Sequence, residues 1–148
     1  MITKEHKTKK YCCFYVSEFH LEMILLPYIK NNDEGKKFFI CTEENLSESV
    51  KQVLERTNLN KEEQNLMLNL NWNSKTEDSI YKYNLDNYTI IVNGSEKYIS
   101  SINEKLKEIN AKETTVIDCY NINGQTIEKE GIKRKYDDIL NTQKYKKR

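Results

Sequence analysis

Apolar residues in this chain fall in short runs whose period changes along its length. Tyr11-Cys12-Cys13-Phe14-Tyr15-Val16 is an unbroken run of strand-forming residues. Ser17 then offers a helix cap, and the stretch from Ser17 to about Asn31 carries helical spacing, with Phe19, Met23, Leu26 and Ile29 or Lys30 near one face. Pro27 lies inside it and is expected to kink or end the helix, because proline removes a backbone donor. Residues 31–35 read as a turn and 37–42 as a second buried strand. A helix opened by Asn45 or Ser47 follows, with Val50, Val53 and Leu54 inward. Asn60 caps a short helix to about Leu68, with Glu63 at capping-box spacing.

Leu68-Asn69-Leu70-Asn71-Trp72 alternates with period two, which predicts an edge strand, and 73–79 reads as a polar loop. Tyr88-Thr89-Ile90-Ile91-Val92 is the strongest strand signal. Asn93-Gly94-Ser95 ends it and opens a helix in which Tyr98, Ile102, Leu106 and Ile109 recur at helical spacing. Residues 114–120 form another buried-type strand, 121–131 a loop, and Ile132 to about Asn141 a closing helix. Strands alternating with helices predict a three-layer α/β fold. Its sheet is mainly parallel with helices on both faces, in the manner of RecA-like or Rossmann-like folds. Nucleotide-binding members of that class place glycines at the first strand-to-helix turn. Here that turn is Val16-Ser17-Glu18, so the phosphate-binding loop is missing and an acid stands in its place.

Composition changes this picture little. One domain is expected from 148 residues, and apolar residues at 37% suffice for a core because they are clustered. Charge is uneven. Residues 1–10 carry +3 and 133–148 carry +5, which leaves −7 on 11–132 out of a total of +1. An acidic body between basic ends lacks the continuous basic face of a nucleic-acid binder, so no direct nucleic-acid contact is expected. The ends read as a disordered basic lead over 1–10, a single domain over 11–142 and a basic tail over 143–148. No stretch is apolar enough to span a bilayer, and no export signal is evident, so no membrane insertion is expected. Cys12, Cys13, Cys41 and Cys119 all fall inside strands, as free thiols of a reducing cytosol do.

Candidate chemistry gathers at strand ends. In a parallel sheet ligands bind beyond the carboxyl ends of strands, and Asn93-Gly94-Ser95, Cys41-Thr42-Glu43 and Cys119-Tyr120-Asn121 all lie there. The helix start at Ser95 offers N–H groups, and Gly94 allows close backbone approach. Each also has a plain reading: a capped turn at Ser95, core packing for the thiols. A zinc site from Cys12 or Cys13, Cys41, Cys119 and His20 has no Cys-x-x-Cys pair behind it, and no metal or cofactor is expected. Cys12 and Cys13 point to opposite faces of their strand. His20 reads as a partly exposed helix residue. Trp72, Tyr81, Tyr83 and Tyr88 read either as one wall of an apolar pocket or as core and edge packing.

These positions together resemble the MEDS family, the methanogen/methylotroph sensory domain. That family opens with a strand close to His-x-Cys-x-x-Tyr and a helix ending near Pro-Tyr. Here Lys10-Tyr11-Cys12-Cys13-Phe14-Tyr15 and Pro27-Tyr28-Ile29 occupy those places. Asn93-Gly94 stands where the family has Thr-Gly, and Cys119-Tyr120 at its Cys-Tyr strand end. The resemblance covers about 10–145. Two family histidines are replaced, by Lys10 and Gln143, and the stretch between Trp72 and Tyr88 is shortened. The resemblance implies a cytoplasmic, non-enzymatic sensor of small ligands. With no output module in view, it would act through a separate partner such as a histidine kinase or transcription regulator, or through self-association. The expected ligand site is Tyr15, Cys41, Glu43, Asn93, Gly94, Ser95 and Tyr120, with Tyr15 and Tyr120 supplying walls and hydroxyls. Two other readings stand beside it. One is a docking module without ligand, using the first helix and the basic tail. The other is an enzyme with Cys41 or Cys119 as nucleophile.

Overall fold

The computed structural model describes residues 8–32, 37–124 and 127–141. Strands β1 (Thr8–Tyr15), β2 (Lys37–Thr42), β3 (Tyr88–Gly94), β4 (Thr114–Asn121) and β5 (Asp138–Ile139) form one sheet in the order β2-β3-β4-β1-β5. Every pairing is parallel. Helices α1 (Glu18–Asn31), α2 (Ser47–Glu55) and α3 (Lys61–Leu68) pack on one face. Helix α4 (Glu96–Ile109), a 3-10 turn at Glu77–Lys82 and the short α5 (Lys129–Lys133) cover the other. This is the expected three-layer α/β fold, with helices on both faces.

Alternation along each strand sorts side chains between two cores. Cys13, Ile40, Ile91, Ile117 and Cys119 face α1, whereas Cys12, Cys41, Val92 and Val116 face α4. Adjacent Cys12 and Cys13 therefore do lie on opposite faces. Burial on both sides is why these strands read as continuous apolar runs.

Several boundaries differ from the sequence reading. β1 starts at Thr8, so Thr8–Lys10 belong to the sheet and not to a lead; residues 1–7 and 142–148, with Gln143 and the basic tail, lie outside the described residues, as does most of the 31–35 turn. Pro27 does not end α1, which runs on to Asn31 because Ile24, Leu25, Tyr28 and Ile29 bury on either side of it. The buried residues of α1 are Leu21, Glu22, Ile24, Leu25, Leu26, Tyr28 and Ile29, which include Leu26 and Ile29 of the expected face. Phe19, on the expected face, is 52% exposed. The capping box of α3 forms as read: Asn60 Oδ1 accepts from Glu63 N at 2.8 Å and Glu63 Oε1 from Asn60 N at 3.2 Å.

The expected edge strand at 68–72 is absent. Leu68 closes α3, and Trp72 folds back under it, donating from Nε1 to Met67 O at 2.8 Å. Part of the expected 73–79 loop is the 3-10 turn. The expected closing helix is replaced by α5 and β5. Leu140 N donates to Cys12 O at 2.8 Å, and Asp137 N to Lys10 O at 2.7 Å. The open edge of β1 offers backbone groups that need partners, and this segment supplies them.

Candidate functional site

The connection leaving β1 passes over one face toward β2. The connection leaving β4 passes over the other toward β5. Between them lies the position where doubly wound sheets open a crevice at their carboxyl edge. A cavity of about 140 Å³ sits there, lined by Tyr15, Glu18, Thr42, Glu43, Glu44, Leu46, Asn93, Gly94, Ser95 and Asn121. At roughly 30 Å³ of liquid per water, it has room for a ligand of a few heavy atoms. The tips of β2, β3 and β4 do converge, joined by the tip of β1.

A chain of hydrogen bonds with one direction lines the floor. The Tyr15 hydroxyl donates to Asn93 Oδ1. Asn93 Nδ2 donates to Thr42 Oγ1 at 3.1 Å, and the Thr42 hydroxyl donates to Glu44 O at 2.8 Å. Tyr15, Thr42 and Asn93 are all buried. Burial raises the Tyr15 phenol, and neighbouring Cys119, Cys13, Glu18 and Glu44 raise it further, so it stays a neutral donor.

The start of α4 forms the rim. Ser95 caps the helix, its Oγ accepting from Tyr98 N at 3.2 Å. Ser95 N donates to Glu43 Oε1 at 2.9 Å, and Glu43 N donates to Asn93 O at 3.0 Å. A helix start ordinarily attracts anions. Here Glu43 fills that role from within the chain, and Glu18 and Glu44 add two more carboxylates to a lining that, among the described residues, has no Lys or Arg. An incoming phosphate would meet like charge at an occupied donor. The absent phosphate loop is thus matched by an acidic pocket.

Comparison with protein-family models, curated proteins and solved structures finds no match to this chain.

Of the expected site residues, Tyr15, Glu43, Asn93, Gly94 and Ser95 meet at this cavity; Cys41 and Tyr120 do not. Both point to the α4 face, where Tyr120 hydrogen-bonds the Tyr136 hydroxyl at 2.6 Å. Tyr120 is therefore no wall of the hollow. Thr42 and Asn121, located at the strand ends but not among the expected site residues, also line it, as do Glu18, Glu44 and Leu46, which were missed. Counting by twos from Tyr15 and Asn93 across the paired strands would have picked Thr42 and Asn121, because Thr42 pairs with Asn93 and Tyr15 with Asn121. Lys10 lies toward the α4 face and does not line this hollow.

The aromatic wall does not form. Trp72 packs in the α1 core, whereas Tyr88 packs against the α4 core. Tyr83 lies against Phe39, and Tyr81 donates to Glu108. The thiols are divided by the sheet, and all four are buried. Burial pushes Cys12 and Cys41 up to about 12 and Cys119 well above its usual value. His20 accepts from Val16 N at its Nδ1 (3.2 Å), a local role at the start of α1. A thiolate is the nucleophilic form. We expect native protein at pH 7 to react with a disulfide reagent only at the rate of its opening, and all four thiols to react at once in denaturant. A single thiol labelled within seconds under native conditions would revive the cysteine-enzyme reading.

Proposed function

We propose that this chain is a non-catalytic, ligand-sensing regulatory domain of the cytoplasm, and that it takes a small neutral or cationic hydrogen-bond donor in the strand-tip hollow. The observation that carries this reading is the pairing of that hollow with its own acidic rim: acceptors line it, and Glu43 already occupies Ser95 N. The described residues include no helix long and apolar enough to cross a membrane, which agrees with action away from the bilayer. The resemblance to MEDS domains supports a sensory role, with output through a histidine kinase or a transcription regulator. A ligand shifts such an equilibrium only through different affinity for two conformations.

The test is a thermal-shift screen of small amines, polyols, amino acids and phosphates. An amine or polyol is expected to stabilise the protein by about 2.7 kcal/mol at a hundred times its Kd. Phosphates are expected to do nothing, and Asn121→Phe, at an exposed position on the cavity wall, to remove the shift. If no compound stabilises the protein, or if the shift survives Asn121→Phe, the reading is wrong.

A second reading, a docking module, is favoured by one observation. Val16 and Phe19, at the start of α1, are 49% and 52% exposed, an apolar pair beside the rim residue Glu18. Co-purification of a regulator that survives Asn121→Phe but not Phe19→Asp would favour it over ligand sensing.

A further inference from the structure

The opposite face of the sheet holds a second hollow of different chemistry. Asp118 of β4 points toward α4 and is fully buried. Asn103 Nδ2 donates to its two oxygens at 3.1 and 3.0 Å, and the Tyr136 hydroxyl donates to Oδ2 at 2.6 Å. Lys10 Nζ lies 3.8 Å from the same oxygen and 5.2 Å over the Tyr136 ring. The carboxylate is therefore satisfied. Its role is to hold Lys10, Asn103 and Tyr136 in place on the floor of a groove.

Two cavities meet over that floor and share Lys10, Asn103 and Lys107. The inner one, about 300 Å³, runs between the end of α4 and the sheet, against Leu106, Ala111 and Val116. The outer one, about 230 Å³, opens beside Lys135 and Tyr136. Among the described residues that line the two, three lysines and one glutamate, Glu104, supply the charge, and Asp118 beneath them pairs with Lys10. Lys107 and Lys135 have no ion-pair partner among the described residues. The groove thus has an apolar end and a cationic mouth, at the lower end of the size range of small-molecule sites.

We propose that this groove binds a small anionic amphiphile, an organic carboxylate or phosphate monoester. Its head lies among Lys10, Lys107 and Lys135, and its apolar tail lies against Leu106, Ala111 and Val116. The sign of the mouth turns away cations, and the apolar end gives a bare inorganic anion nothing to bury. The chemistry is the reverse of the strand-tip hollow, so the two sites select different molecules and stand or fall separately.

Titration calorimetry on the full chain tests this with sodium octanoate, octyl phosphate, octanol and octylammonium, all below their aggregation limits. At least one of the two anions is expected to bind saturably at one site, and comparison of the two names the preferred head group. Octanol and octylammonium are expected to bind at least about tenfold more weakly. Lys107→Glu combined with Lys135→Glu reverses two exposed charges and should weaken the anion by about tenfold or more while leaving the urea midpoint in place. Ala111→Trp, which fills the apolar end, should abolish binding. Failure of both anions, octanol binding as tightly as octanoate, or unchanged anion affinity in the charge-reversed variant would overturn the proposal.

Discussion

Glu22→Gln is expected to leave stability near pH 4 almost unchanged and to raise it at pH 9 by on the order of 2–4 kcal/mol. Glu22 lies on the buried side of α1, 1% exposed, and neither carboxyl oxygen has a hydrogen-bond partner among the described residues. Burial, with a smaller contribution from Glu18, pushes its carboxyl up to about 8 from an ordinary 4.5. The sign follows from proton counting. Between those values the folded protein holds a proton that the unfolded chain has released. Stability from this group is therefore full below about pH 4.5, falls as pH rises toward 8, and is flat above. Glutamine resembles the protonated acid in shape and cannot ionise, so the difference between the two proteins isolates this one titration. Urea midpoints of both proteins from pH 4 to 9 measure it. Parallel profiles would mean that Glu22 is solvated or paired in the folded state.

The same buried face shows what sequence can and cannot specify. The inner strands were legible because burial on both sides leaves a run such as Thr89–Val92 with no polar interruption other than threonine. The Asn60–Glu63 cap was legible because it is local, three residues closing on each other. The face of α1 was legible only in part. Leu26 and Ile29 are buried as expected, but Phe19 and Met23 share helical spacing with Leu21, Ile24, Leu25 and Tyr28, and only the position of the sheet beneath selects the latter set. β5 failed for a similar reason. Its two residues become a strand because Tyr11 and Cys12, more than a hundred residues earlier, present an unpaired edge.

The site was legible to the same depth. Strand ends and helix starts can be located from local pattern, and five of the seven expected residues line the hollow because they sit at such ends. Which face each residue serves depends on the parity of every strand relative to its neighbour. Cys41 and Val92 are register partners and share the α4 face, while Thr42 and Asn93, one residue on, share the other. Parity also separates the two proposed ligand chemistries. Successive residues Asp118 and Cys119 point one toward the lysine-rimmed groove and the other toward the α1 core.

Gly94→Ala should cost about 2–4 kcal/mol, a fall in Tm of roughly 10 °C for a chain of this size. A Cβ at Gly94 would stand 2.8 Å from Glu43 Oε1, 2.9 Å from Glu43 Cβ and 3.0 Å from Tyr98 Cδ2, on a backbone with φ of 157°. None of these neighbours retreats cheaply. Moving Glu43 releases Ser95 N, and moving Tyr98 breaks its 2.6 Å hydrogen bond to Lys75 O. Adding Glu43→Ala to Gly94→Ala removes the contact with Oε1 but keeps the one with Cβ, so the pair should recover only part of the loss. The coupling in that double-mutant cycle measures how tightly the rim is packed. Gly124→Ala is the control: its φ of 71° strains an alanine, but none of the described residues lies within 4 Å of the new carbon, and the cost should stay near 1 kcal/mol. If Gly94→Ala proves no worse than Gly124→Ala, Glu43 is not held against the start of α4. The proposal that the acidic rim turns phosphate away from this sheet edge would then lose its support.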